Sequence, residues 1–132
     1  MKKITILISF IVFLNANSFG QTTNTVDTIC AHPELEARMP GGDAAWRQFL
    51  KKNLNAAIAS NNGAPQGTYT VIVKGIISKD GKISNVTAET NFGYGMEEEA
   101  IRVMKLSFWM AALNNNERVK TVHRMPITFV VE

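Results

Sequence analysis

From Asp43 onward the apolar positions fall into two periods, and the switches between them divide the chain into five elements. Trp46, Phe49, Leu50, Leu54 and Ile58 recur at helical spacing and predict a helix over residues 44–58. Pro40-Gly41-Gly42 makes a turn before it, and Asp43 stands where a side chain can cap the helix. Ser60-Asn61-Asn62-Gly63-Ala64-Pro65 ends it with several breakers in a row. Residues 68–79 are rich in Val, Ile, Thr and Tyr and alternate as a strand does. Tyr69, Val71, Val73, Gly75 and Ile77 share one face; Thr70, Ile72, Lys74, Ile76 and Ser78 share the other. Asp80-Gly81 predicts a two-residue type I′ turn, whose central positions both need positive φ. The return strand spans 82–90. Its alternation slips after Ile83, because Val86 and Ala88 have the opposite parity, so a bulge is expected.

A second helix is predicted from Met96 to Ser107, with Met96, Ala100, Val103 and Met104 as its core stripe and Ile101 alongside. Glu97, Glu98 and Glu99 lie in its first turn, where acids complement the helix dipole. Successive helical positions diverge by about 100°, so three adjacent carboxylates cannot converge on one ion. After Phe108, Trp109 and the polar Asn114-Asn115-Asn116 comes a last strand over 118–131. Met125, Ile127, Phe129 and Val131 face the core, and Arg124, Pro126, Thr128 and Val130 face away. Pro126 cannot donate to a ladder, which places this strand at an edge. The expected fold is α+β: a small antiparallel three-stranded sheet with two packed helices, in the order helix-strand-strand-helix-strand.

The N-terminus follows another pattern. Lys2 and Lys3 precede an eleven-residue apolar run, Ile4 to Leu14, broken only by Ser9, and Ser18-Phe19-Gly20 supplies small residues for a peptidase. This order predicts a cleavable secretory signal over residues 1–20, since a membrane-spanning helix needs roughly 20 apolar residues. Retention as an inner-membrane anchor is the alternative. Residues 21–38 lack periodicity and are expected to be a flexible lead, followed by one domain over 39–132. No later stretch could insert stably in a membrane, so a periplasmic location is expected.

Charge then changes the picture. The chain has 14 basic and 11 acidic residues, but two of the lysines belong to the signal. The remainder is nearly balanced and has no dense basic stripe, which argues against a nucleic-acid partner. Cys30 is the only cysteine, so no intramolecular disulfide can form, and it reads as an unremarkable free thiol. His32 and His123 have no metal-ligand spacing with Cys, Asp or Glu. Nucleophile elbow, phosphate loop and dinucleotide fingerprint are all missing. The residues call for no catalytic site, cofactor or metal, and an enzyme is not expected.

Several of these features recur together in one family. Met39-Pro40-Gly41-Gly42 leads into a helix with Trp46, Phe49-Leu50 and Asn53-Leu54. Gly67 and a strand follow, then Lys79-Asp80-Gly81-Lys82-Ile83, the helix Glu98-Glu99-Ala100-Ile101-Arg102-Val103, Trp109, and Met125-Pro126-Ile127-Thr128-Phe129. In order and spacing residues 39–132 resemble the C-terminal domain of the TonB family of energy transducers, in the version common in Bacteroidetes-type bacteria. The resemblance implies a periplasmic domain that contacts N-terminal peptides of outer-membrane transporters by strand addition to its last strand. Carried over by position, the contact residues are Arg118, Val119, Lys120, Thr121, Val122, His123, Arg124 and Met125. Basic residues on an edge also serve simply to prevent aggregation. Three features depart from a full transducer. The apolar segment reads as cleaved, and a lead of about twenty residues reaches only some 70 Å. Met110-Ala111-Ala112-Leu113 also stands where the family usually has a lysine and a proline. A free-standing interaction module uncoupled from the inner-membrane, proton-motive motor that the resemblance implies, or a self-associating homodimer, is therefore the alternative.

Overall fold

The computed structural model describes residues 27–132; the expected signal and the first part of the lead lie outside the described residues. The elements are α1 (Gly42–Asn53), α2 (Ile58–Asn61), β1 (Gly67–Ile77), β2 (Ile83–Ala88), α3 (Met96–Leu106), β3 (Ala112–Asn114), β4 (Glu117–Val119) and β5 (Thr121–Val131). The main sheet is antiparallel with order β2-β1-β5, and β3-β4 forms a separate small hairpin. The fold is thus the α+β arrangement expected, with β5 at an edge and β1 in the middle.

The strand faces follow the predicted alternation. Val71, Val73 and Ile77 of β1 and Ile127, Phe129 and Val131 of β5 are buried, against Met96, Ala100, Val103 and Met104 of α3. β2 bends where the slip in parity was expected. Lys74 pairs with Thr87 and Ile76 with Ser84, so β2 carries one extra residue opposite Gly75, and Asn85 takes a φ of 50°. The hairpin turn differs from the two-residue form. Gly81 N–H donates to Ser78 C=O (2.9 Å), and Ser78 N–H to Lys82 C=O (2.9 Å). Only Gly81, at φ 79°, has positive φ in this turn, which is therefore a longer turn closed by a glycine bulge. Glycine is required there for a second reason. A Cβ on Gly81 would lie 1.9 Å from the carbonyl oxygen of Trp109, whose own N–H donates to Gly81 C=O (3.1 Å).

The first helix also departs from expectation. It starts at Gly42 on an N-cap Gly41 with φ 93°, so Asp43 lies in its first turn and does not cap it. It ends at Asn53, five residues early, because α3 captures its C-terminus. Arg102 Nη2 donates to Asn53 C=O (2.6 Å), and Asn55 N–H donates to Glu99 Oε1 (2.7 Å). Glu99 and Arg102 are themselves paired at 2.6 Å. Glu97 has a different task, accepting the N–H groups of Phe92 (2.5 Å) and Gly93 (3.0 Å) and so closing the loop before α3. Glu98 points to solvent.

Residues 27–38, expected as a flexible lead, are bonded to the hairpin side of the domain. Leu35 and Leu113 exchange both backbone hydrogen bonds (3.0 and 2.9 Å), and Arg38 and Met110 do the same (3.2 and 2.7 Å). The last strand expected over 118–131 is correspondingly two pieces. Its first residues pair back onto β3, with Ala112 opposite Val119 and Asn114 opposite Glu117, through Asn115 and Asn116 at positive φ.

Two stability measurements check this account. Phe129 is fully buried on β5, and Phe129→Ala should cost about 3–5 kcal/mol in denaturant unfolding; a loss well below that would mean the faces of β5 are misread. The Arg102 guanidinium, with the Asn55 N–H, holds the Glu99 carboxyl below the usual carboxylate range, against the opposing effect of burial. A lowered carboxyl contributes its full stability above its unfolded pKa and loses it as pH falls through the folded value. Glu99→Gln should therefore cost about 1–3 kcal/mol at neutral pH. The gap to the native protein should close on acidification through and below the carboxylate range, as followed by unfolding at a series of pH values.

Candidate functional site

The site is assembled from the β1–β5 ladder. These strands pair over their whole length, from Gly67 opposite Val131 to Ile77 opposite Thr121. In an antiparallel pair each residue directs both its N–H and its C=O to the same neighbour, and successive residues alternate. Ile72 C=O accepts Glu89 N–H (2.8 Å), and Ile72 N–H donates to Thr90 Oγ1 (3.3 Å), so Ile72 faces β2. Its partner in β5 is Pro126, which must then face away from β1. By the same alternation the backbone groups of Val122, Arg124, Thr128 and Val130 also point outward. β1 is the only strand paired with β5 among the described residues, so these groups line an open edge. Proline costs nothing at such a position, since no donor is missed.

This geometry sorts the eight residues carried over by resemblance. Arg118 and Val119 belong to β4 and pair with Leu113 and Ala112. Thr121, His123 and Met125 turn their backbone to β1 and their side chains to the core side of the sheet. Thr121 is buried, and His123 packs on Trp109 with ring centroids 4.7 Å apart. Burial pushes the His123 imidazole below the usual histidine range, with Glu36 pulling the other way. His123 Nε2 and Thr121 Oγ1 are buried without a hydrogen-bond partner among the described residues. Lys120 faces outward, but its C=O accepts Cys30 N–H (2.7 Å) from the lead. Only Val122 and Arg124 of the eight present open backbone groups.

Thr128 and Val130 were not among the candidates, although a signal for them exists. Once proline marks the outward parity, every second residue on either side of Pro126 shares it. Val122 is 36 % exposed and Val130 56 %. The Arg124 guanidinium is held across the open face by Glu89 (3.0 and 3.2 Å), which also pairs with Lys74 at 3.6 Å. Beside the edge a groove of about 570 Å³ is lined by Ala44 and Leu50 of α1, by Leu54 just after it and by Thr128. Behind it Trp109 packs with tilted rings between Trp46, 5.6 Å away, and His123, while its indole N–H donates to Ser107 Oγ (2.8 Å).

Chemically, this arrangement offers backbone donors and acceptors rather than reactive side chains. The described residues hold no group of three or more His, Cys, Asp or Glu side chains placed to bind a metal ion. None of their helices is long and apolar enough to cross a membrane.

No curated protein and no solved structure matches the chain. A family model does: the Gram-negative bacterial TonB protein C-terminal matches residues 64–131, just over half of the sequence. The match starts shortly after α2 and takes in β1 through β5, the elements that build the open edge. Domains of this family are periplasmic, non-enzymatic protein-interaction modules in the transduction of energy for transport. With its sheet order, its edge strand and this match, the chain belongs to the TonB C-terminal family.

Proposed function

We propose that the protein is exported by residues 1–20 and works in the periplasm, where it engages N-terminal peptides of outer-membrane transporters by strand addition. The partner peptide lies along the outer edge of β5. The observation that carries this reading is the row of outward backbone groups at Val122, Arg124, Thr128 and Val130 on an edge strand. Main-chain hydrogen bonds supply affinity in this mode, and alternate side chains of the added strand supply selectivity. The interval at Pro126 divides the edge into two stretches, one at 122–124 and one at 128–130. The contact therefore extends further toward the C-terminus than the resemblance alone implied, and it leaves out Arg118 and Val119. Family membership supports the role in transport.

Titrating isotope-labelled protein with transporter N-terminal peptides tests the reading. Amide shifts should concentrate on Val122, Arg124, Thr128 and Val130. Val122→Pro should remove one outward donor without touching the ladder to β1, as Pro126 already does. It should weaken peptide binding by about 0.5–1.5 kcal/mol while the melting temperature stays near the native value. Concentration-dependent shifts at the same amides without peptide would replace the transporter with a second copy of the chain. No shift at millimolar peptide would remove the strand-addition function.

A further inference from the structure

The outer edge already carries a short piece of added strand, and it comes from this chain. Ile29 forms a parallel bridge with Lys120, through the hydrogen bond from Cys30 N–H to Lys120 C=O. Three residues before Cys30, the Asp27 carboxylate lies between two ammonium groups, 3.2 Å from Lys120 Nζ and 3.8 Å from Lys79 Nζ. Beyond Cys30 the lead bends away and pairs with the small hairpin at Leu35. It therefore fills the first outward position of the edge and leaves the next two, Val122 and Arg124, unpaired.

We propose that Asp27–Cys30 is an intramolecular stand-in for the partner strand, and that Lys79 and Lys120 form a carboxylate subsite at the start of the edge. Until a partner strand displaces it, the lead occupies the Lys120 position of the edge. This rests on the strand-addition reading and adds to it a segment of the chain itself that competes with the partner for the start of the edge. The lead is suited to displacement. Its hold on the edge includes a single isolated bridge and two ion pairs whose carboxylate is more than half exposed, and such pairs contribute little each. A partner with the same acid keeps both ion pairs and continues onto Val122 and Arg124, which the lead cannot reach. The remaining anchors, at Leu35 and Arg38, lie away from the edge and stay in place.

The test uses the full chain and two blocked synthetic peptides. One copies Asp27-Thr28-Ile29 and continues with alternating valine and threonine; the other has asparagine in place of the aspartate. The aspartate peptide should shift the Val122 and Arg124 amides and strip hydrogen-exchange protection from the Cys30 amide, leaving the Leu35 and Leu113 amides protected. Asp27→Asn, which loosens the lead, should tighten binding of the aspartate peptide by about two- to fivefold. The asparagine peptide should bind the native chain more weakly by a similar factor. Lys79→Gln combined with Lys120→Gln should erase the difference between the peptides, and melting curves check that each variant is folded. If Cys30 stays protected while Val122 and Arg124 shift, or if both peptides bind alike, the stand-in is wrong and strand addition survives. Shifts confined to Thr128 and Val130 would have the same meaning. If no edge amide moves with either peptide, strand addition itself fails and takes this inference with it.

Discussion

Everything about the edge depends on the register of β1 against β5. Eleven consecutive residue pairs join them, and both the side-chain direction and the backbone direction repeat every two residues along the ladder. One choice of register therefore sets two things together. It sends Met125, Ile127, Phe129 and Val131 toward the core, and it turns the N–H and C=O of the intervening residues outward. A slip by one residue would bring Arg124 and Thr128 to the core face and aim Pro126 at β1, where its missing donor would break the ladder. Burial of Phe129 and tolerance of Pro126 are thus two consequences of the same pairing.

Behind the ladder, the helices are fastened by contacts that span long distances in sequence. Trp109 is the meeting point, touching Trp46 of α1, His123 of β5 and the backbone of Gly81. The absence of a Cβ at Gly81 lets the β1–β2 turn close onto that backbone. On the opposite flank, Glu99 and Arg102 of α3 satisfy the backbone groups that α1 leaves free at Asn53 and Asn55. Glu97 closes the preceding loop. Two of the three acids that might have suggested chemistry, Glu97 and Glu99, hold backbone in place, which suits a domain whose working surface is itself backbone.

An open edge that binds other strands also invites unwanted pairing. Three features of this chain limit it. Pro126 interrupts the row of donors, Arg124 places a charge on the open face, and the lead covers the outward carbonyl of Lys120. Each leaves part of the edge available, so protection and recognition share one strand.

Much of this was legible in the sequence because it is local. Alternation in 69–77 and 125–131, helical spacing in 96–104, the slip in parity after Ile83 and the single proline at 126 each report burial or backbone direction within a few residues. The class of fold and the place of β5 at an edge follow from them, while the family resemblance rests on the ordered motifs from Met39-Pro40-Gly41-Gly42 to Met125-Pro126-Ile127-Thr128-Phe129. What the tertiary structure decided involves partners far apart in the chain. Helix α1 stops at Asn53 because Arg102 reaches it; the lead is held because Leu35 meets Leu113 and Cys30 meets Lys120. Residues 118 and 119 leave the edge because they pair with β3. Periodicity states which side of an element is buried, but not which distant groups will satisfy its ends. Only the folded arrangement, by settling where each backbone N–H and C=O finds its partner, separated the residues that face the open edge from their neighbours that do not.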